Sequence, residues 1–131
     1  MLGMWRWVVA IRCRSMLLSM NQIISLHYQD YYQNLEREGQ TALVLFSSPR
    51  CGTCRAWKDR LKETSWDVTV FEVDVTSAQG LVEEFSIFSL PTFVLYKNGT
   101  FHRFFSPDMR FSIKQQVMDA LSLPQQEDPT C

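Results

Sequence analysis

Between Gln22 and Leu123 the apolar positions switch between two spacings, and each switch marks a new element. Ile23-Ile24-Ser25-Leu26 is a short strand candidate. Tyr28, Tyr31, Tyr32 and Leu35 follow at i, i+3, i+4 and i+7, one face of a helix. Gly39 is placed to end that helix in a left-handed conformation. Thr41 to Phe46 reads as a strand buried on both faces of a mixed or parallel sheet. Trp57 and Leu61 stand at helical spacing after Cys54 and predict a helix running to about Lys62. Val68 to Val75, rich in β-branched residues, is the next strand.

Thr76-Ser77-Ala78-Gln79 matches a capping box, and Leu81, Val82 and Phe85 give the buried face of a short helix behind it. Thr92 to Tyr96 is another strand. The Asn98-Gly99 pair supplies a tight hairpin turn, with Phe101 to Phe105 as the returning strand. Ser112-Ile113-Lys114-Gln115 is a second capping box, and Ile113, Val117, Ala120 and Leu121 form the apolar face of a last helix. The order is βαβαβαββα. Strands joined through helices can be parallel and the hairpin is antiparallel, so the expected class is α/β: a central mixed sheet flanked by helices.

Composition narrows the picture. At 131 residues the chain suits one domain with a sizeable core, and 46% apolar against 21% charged residues is ordinary for a globular protein. A formal net charge of −1 argues against a nucleic-acid-binding surface, which is normally basic. No apolar stretch has the roughly 18 residues of a membrane-spanning helix. Residues 1–19 carry Arg6, Arg12 and Arg14 and no acidic residue. Their longest apolar run stops at Arg12, too short for a secretory signal. They are set apart as a leader, either a targeting or anchoring segment or a start-site artefact with translation beginning at Met20. Residues 20–123 are read as the domain, and the polar, proline-bearing stretch 124–131 as a disordered tail. The expected location is cytoplasmic, with an organellar, membrane-associated or exported alternative through residues 1–19.

The chemistry concentrates in Pro49-Arg50-Cys51-Gly52-Thr53-Cys54-Arg55. Two cysteines at a helix start, separated by two residues, suit thiol–disulfide exchange. The positive end of the helix favours the thiolate, Arg50 adds positive charge, and the second sulfur lies within reach of the first. C-x-x-C beside a βαβ pattern reads as a redox motif. A zinc site needs about four ligands, whereas His27 and His102 are isolated, so no metal is expected. Haem attachment needs His after the second cysteine, where Arg55 stands.

With these residues in place the chain resembles the thioredoxin family from about Gln22 to Leu123. Cys51-Gly52-Thr53-Cys54 at a helix start, Leu90-Pro91-Thr92 opening a strand, and Lys97-Asn98-Gly99 in the next hairpin carry the resemblance. It implies the thioredoxin fold, a cis Pro91 facing the cysteines, and substrate binding by Gly52, Thr53, Leu90 and Pro91. It also implies Cys51 as nucleophile, Cys54 as resolving thiol, protein disulfides as substrates, and a thioredoxin-reductase-like electron donor as a fitting partner. The cysteine pair serves as its own redox centre, so no bound cofactor is required. A monomer is expected, with membrane contact only if residues 1–19 are retained.

Four positions depart from the family pattern. Arg50 replaces the usual Trp, Thr53 the usual Pro, Leu45 the usual buried Asp, and Ser106-Pro107 the usual Gly of the substrate groove. The expected function is protein-disulfide reduction. A thioredoxin-fold adaptor with little turnover is the alternative.

Overall fold

The computed structural model describes residues 22–130. The leader, Met20 and Cys131 lie outside the described residues. Strand β1 (Ile23–Leu26) leads through a 3₁₀ turn at Tyr28–Asp30 into α1 (Tyr31–Leu35). Then come β2 (Ala42–Ser47), α2 (Gly52–Glu63) and β3 (Thr69–Asp74). A 3₁₀ turn at Val75–Ser77 precedes α3 (Gln79–Glu84), and β4 (Thr92–Lys97), β5 (Thr100–Phe105) and α4 (Ile113–Leu121) complete the order. The strands form one five-stranded sheet in the order β1-β3-β2-β4-β5, with β1, β3 and β2 parallel and β4 and β5 antiparallel to their neighbours. This is the α/β arrangement that the alternation of periods predicts.

All six residues of β2 are buried, because the strand has a neighbour on each side and helices over each face. Its alternation splits the core in two. Ala42, Val44 and Phe46 join Tyr31, Leu35, Leu81, Phe85 and Tyr96 beneath α1 and α3. Leu43 and Leu45 join Trp57, Leu61, Phe93, Ile113 and Val117 beneath α2 and α4. Apolar burial at roughly 25 cal/mol per Å² makes these two layers the main source of stability. They hold the C-terminal end of β2, from which the cysteine loop emerges, as a rigid platform.

Three local expectations are corrected. Helix α1 ends at Leu35 with Glu36 as its cap, so Gly39 does not terminate it. Gly39 does take a left-handed φ of +79°, but its N–H donates to Asn98 Oδ1 at 2.8 Å, and Gly99 N–H donates to the Gln40 carbonyl at 2.7 Å. The β4–β5 hairpin tip therefore sets that conformation. Thr76 makes no capping box, because Asp74 reaches the turn first: its Oδ1 accepts from Thr76 N–H at 2.9 Å and from the Thr76 hydroxyl at 2.6 Å. A carboxylate at a strand end is the stronger acceptor, and α3 follows Ala78, an N-cap with no side-chain bond. The second box is half formed. Ser112 accepts from Gln115 N–H, whereas the Gln115 side chain turns to Asp119.

Residues 124–130 contain no helix or strand, yet they do not form the free tail expected from their composition. Gln126 N–H donates to the His102 carbonyl at 2.7 Å, and its Oε1 accepts from Phe104 N–H at 2.9 Å. Gln125 donates to the Phe101 carbonyl, and Arg103 to that of Pro124. One glutamine thus satisfies a donor and an acceptor on the open edge of β5, where unpaired backbone groups would otherwise face solvent.

Candidate active site

The site begins where β2 ends. After Ser47 the chain turns through Ser48, Pro49 and Arg50, with Ser48 accepting from Arg50 N–H through its hydroxyl and from Cys51 N–H through its carbonyl. Cys51 is the N-cap of α2, with extended backbone, and its Sγ accepts from Cys54 N–H at 3.1 Å. Short polar residues usually cap helices, and here a sulfur takes that role. No acidic residue occupies the first turn of α2, so nothing offsets the helix start that favours a thiolate at Sγ.

Cys51 and Cys54 are joined as a disulfide, with Cα atoms 5.2 Å apart. Cys51 is partly exposed, Gly52 and Thr53 are exposed, and Cys54 is completely buried. Only the first sulfur therefore meets solvent. Trp57, one turn after Cys54, is buried and meets the Phe93 ring edge-on with centroids 5.6 Å apart, which fixes α2 on the sheet. Arg50 is exposed at the mouth of the site, and Arg55 is tied back to the Pro49 carbonyl at 3.3 Å.

The Leu90–Pro91 bond is cis, and both residues are partly buried. Thr92, next in the chain, pairs with Phe46 across the antiparallel β2–β4 ladder. Register thus brings Leu90-Pro91 to the end of the sheet from which Cys51 emerges, although they are about forty residues apart in sequence. Leu45 is fully buried against the second core layer.

A polar group that sequence reasoning passed over lies beside it. Glu72 pairs in register with Leu45, forms an ion pair with Lys58 at 2.9 Å, and accepts from the buried Ser47 hydroxyl at 2.7 Å. Lys58 follows Cys54 by four residues, on the same helix face. With Ser48 and Pro49 these groups line a cavity of about 330 Å³. That i+4 spacing, and one charge within Val70-Phe71-Glu72-Val73, were the signals available.

The thioredoxin family model matches residues 22–118. Thioredoxin Asp f 28 of Aspergillus fumigatus is 32% identical over 85 residues, covering 63% of this chain and 78% of the relative. Thioredoxin domain-containing protein 2 of Rattus norvegicus is 34% identical over 74 residues, covering 53% of this chain but only 14% of that longer protein. Among solved structures, the short form of thioredoxin F from spinach chloroplast is similar in fold, with a TM-score of 0.65 at 15% identity over 79% of this chain and 97% of the other.

Proposed function

The chain belongs to the thioredoxin family, and on that premise we propose that this thiol–disulfide oxidoreductase reduces disulfide bonds in other proteins through Cys51 and Cys54. One observation carries the reading: a partly exposed sulfur caps the start of α2, bonded to a buried partner sulfur. In the reduced protein the Cys51 thiolate attacks a substrate disulfide. One substrate sulfur leaves as a thiolate and a mixed disulfide forms. Cys54, as thiolate, then attacks Cys51 Sγ, releases the second substrate thiolate and closes the Cys51–Cys54 bond. Two electrons pass to the substrate, and an external dithiol donor, such as a thioredoxin-reductase-like enzyme, restores the pair. Gly52 and Thr53, both exposed, leave the approach open, and Leu90 and Pro91 border it.

Insulin-disulfide reduction tests the assignment. Cys51→Ser should abolish it, and Cys54→Ser should accumulate mixed disulfides; a Cys51→Ser protein that still reduces insulin overturns the reading. The direction of electron flow is read from the reduction potential of the pair. A value near the roughly −270 mV of thioredoxin fits a reductase, whereas one near about −120 mV fits an oxidant. The hydrophobic Leu45, which leaves the second layer without a carboxylate at that position, favours the adaptor as the second reading. A stable complex that survives loss of both cysteines would select it. A cytoplasmic location is the first choice, with an organellar, membrane-associated or exported form through residues 1–19 as alternative, and the mature N-terminus decides between them.

A further inference from the structure

Phe88 lies in the loop between α3 and Pro91 with 94% of its surface exposed, the most exposed large apolar side chain among the described residues. Apolar hollows flank it. One, of about 340 Å³, is lined by Val75, Val82, Ile87 and Leu90. The other, of about 320 Å³, lies among Phe85, Ser86, Thr92, Phe104 and Pro129. No charged side chain lines either hollow. An exposed aromatic between two uncharged recesses is the form of a contact surface, because burial of apolar area is what such a surface offers.

Pro129 gives the second hollow a wall from the segment beyond the family match, which ends at residue 118. That wall is held in place. Gln126 clamps the segment to His102 and Phe104 of β5, and Gln125 and Arg103 add a bond each. The loop that carries Phe88 runs directly into Leu90 and Pro91, at the sheet end where Cys51 emerges.

We propose that Phe88 and the hollow it shares with Pro129 hold an uncharged, apolar side chain of the protein whose disulfide is exchanged. The proposal rests on the reading of Cys51 and Cys54 as the exchange pair and adds a substrate class: polypeptide segments with an apolar residue near the disulfide, in preference to small or anionic disulfides. Complementarity decides the chemistry. A leucine or phenylalanine side chain loses only unfavourable hydration in the hollow, whereas a carboxylate loses favourable hydration and finds no cation in the lining.

The test uses the full chain and three probes. Two are disulfide-linked peptides identical except for Leu or Glu at one position near the cysteine, and the third is hydroxyethyl disulfide, which carries no peptide side chain to place in the hollow. The Leu peptide should be reduced with a kcat/KM about tenfold above that of the Glu peptide, the effect of burying one aliphatic side chain in part. Phe88→Ser and Pro129→Ser, neutral truncations at exposed positions, should remove that preference and leave hydroxyethyl disulfide reduction unchanged. If the wild type shows no preference, or Phe88→Ser keeps it, while hydroxyethyl disulfide is still reduced, the inference falls and the exchange reading stands. If none of the three probes is reduced, the exchange reading fails and the inference with it. Sedimentation supplies one more arm: a wild-type dimer that Phe88→Asp converts to monomer marks the hollow as a self-association face and overturns the proposal.

Discussion

Cys51 is partly exposed at the start of α2, whereas Cys54 is wholly buried one turn further on, so an incoming disulfide can reach the first sulfur and not the second. The order of attack is a matter of access, reinforced by the helix start that favours charge on Cys51. Iodoacetamide added to the reduced protein should therefore label Cys51 first, with Cys54 labelled only after denaturation. Peptide mass spectrometry at successive times checks this, and equal labelling of both would remove the argument from burial. Arg50 stands exposed at the same mouth, where solvent screens its charge, so its influence on Cys51 is a rim effect.

Single side chains at the ends of elements decide where the chain turns. Asp74 closes β3 by accepting twice from Thr76, and this places the turn that starts α3. Asp74→Ala should cost about 1 kcal/mol, as loss of an N-cap usually does, and Thr76→Val should cost less, because the Asp74 bond to the Thr76 N–H survives. Urea unfolding of the two variants gives the comparison, and a larger loss at Thr76 would return the cap to that residue. At the other edge of the sheet, Gln126 supplies an N–H and an amide oxygen to β5. Gln126→Pro removes both. Hydrogen exchange at the Phe104 amide should then speed up at least tenfold while β2 amides are unaffected, since local opening leaves the core intact.

Across the whole molecule the two core layers differ in chemistry. The layer under α1 and α3 contains Tyr31, Tyr32 and Tyr96, and burial pushes each phenol above its ordinary range. For Tyr32 a hydrogen bond to Glu84 adds to the effect. The unfolded chain loses these protons near pH 10, while the folded chain keeps them. Stability is therefore complete below about pH 10 and falls as pH rises through the alkaline range, because the folded state binds more protons than the unfolded one. Urea midpoints measured from pH 8 to 11 should decline above about pH 10, and the Tyr31→Phe, Tyr32→Phe double variant should decline less steeply. A flat profile in the parent would show that the tyrosines titrate alike in both states.

Much of this protein follows from local pattern alone. The strands Ile23–Leu26, Ala42–Ser47, Thr69–Asp74 and Thr92–Lys97 are legible as short apolar or β-branched runs of strand length, and α2 because Trp57 and Leu61 repeat at 3.6-residue spacing. The Asn98-Gly99 turn is legible because few residue pairs accept two positive φ angles, here +55° and +78°. The cysteine pair announces its chemistry by spacing, and Leu90-Pro91 entered only through the family resemblance. What tertiary structure alone decided are the contacts between distant segments. The sheet order β1-β3-β2-β4-β5, the hold of the hairpin on Gly39, the Lys58–Glu72 pair beside Leu45 and the docking of residues 124–130 on β5 all depend on which chemically similar partner lies nearest in space. Sequence determines which faces must be buried and which groups must bond; only the packed chain selects the partner, because the choice among many compatible pairings is made by geometry.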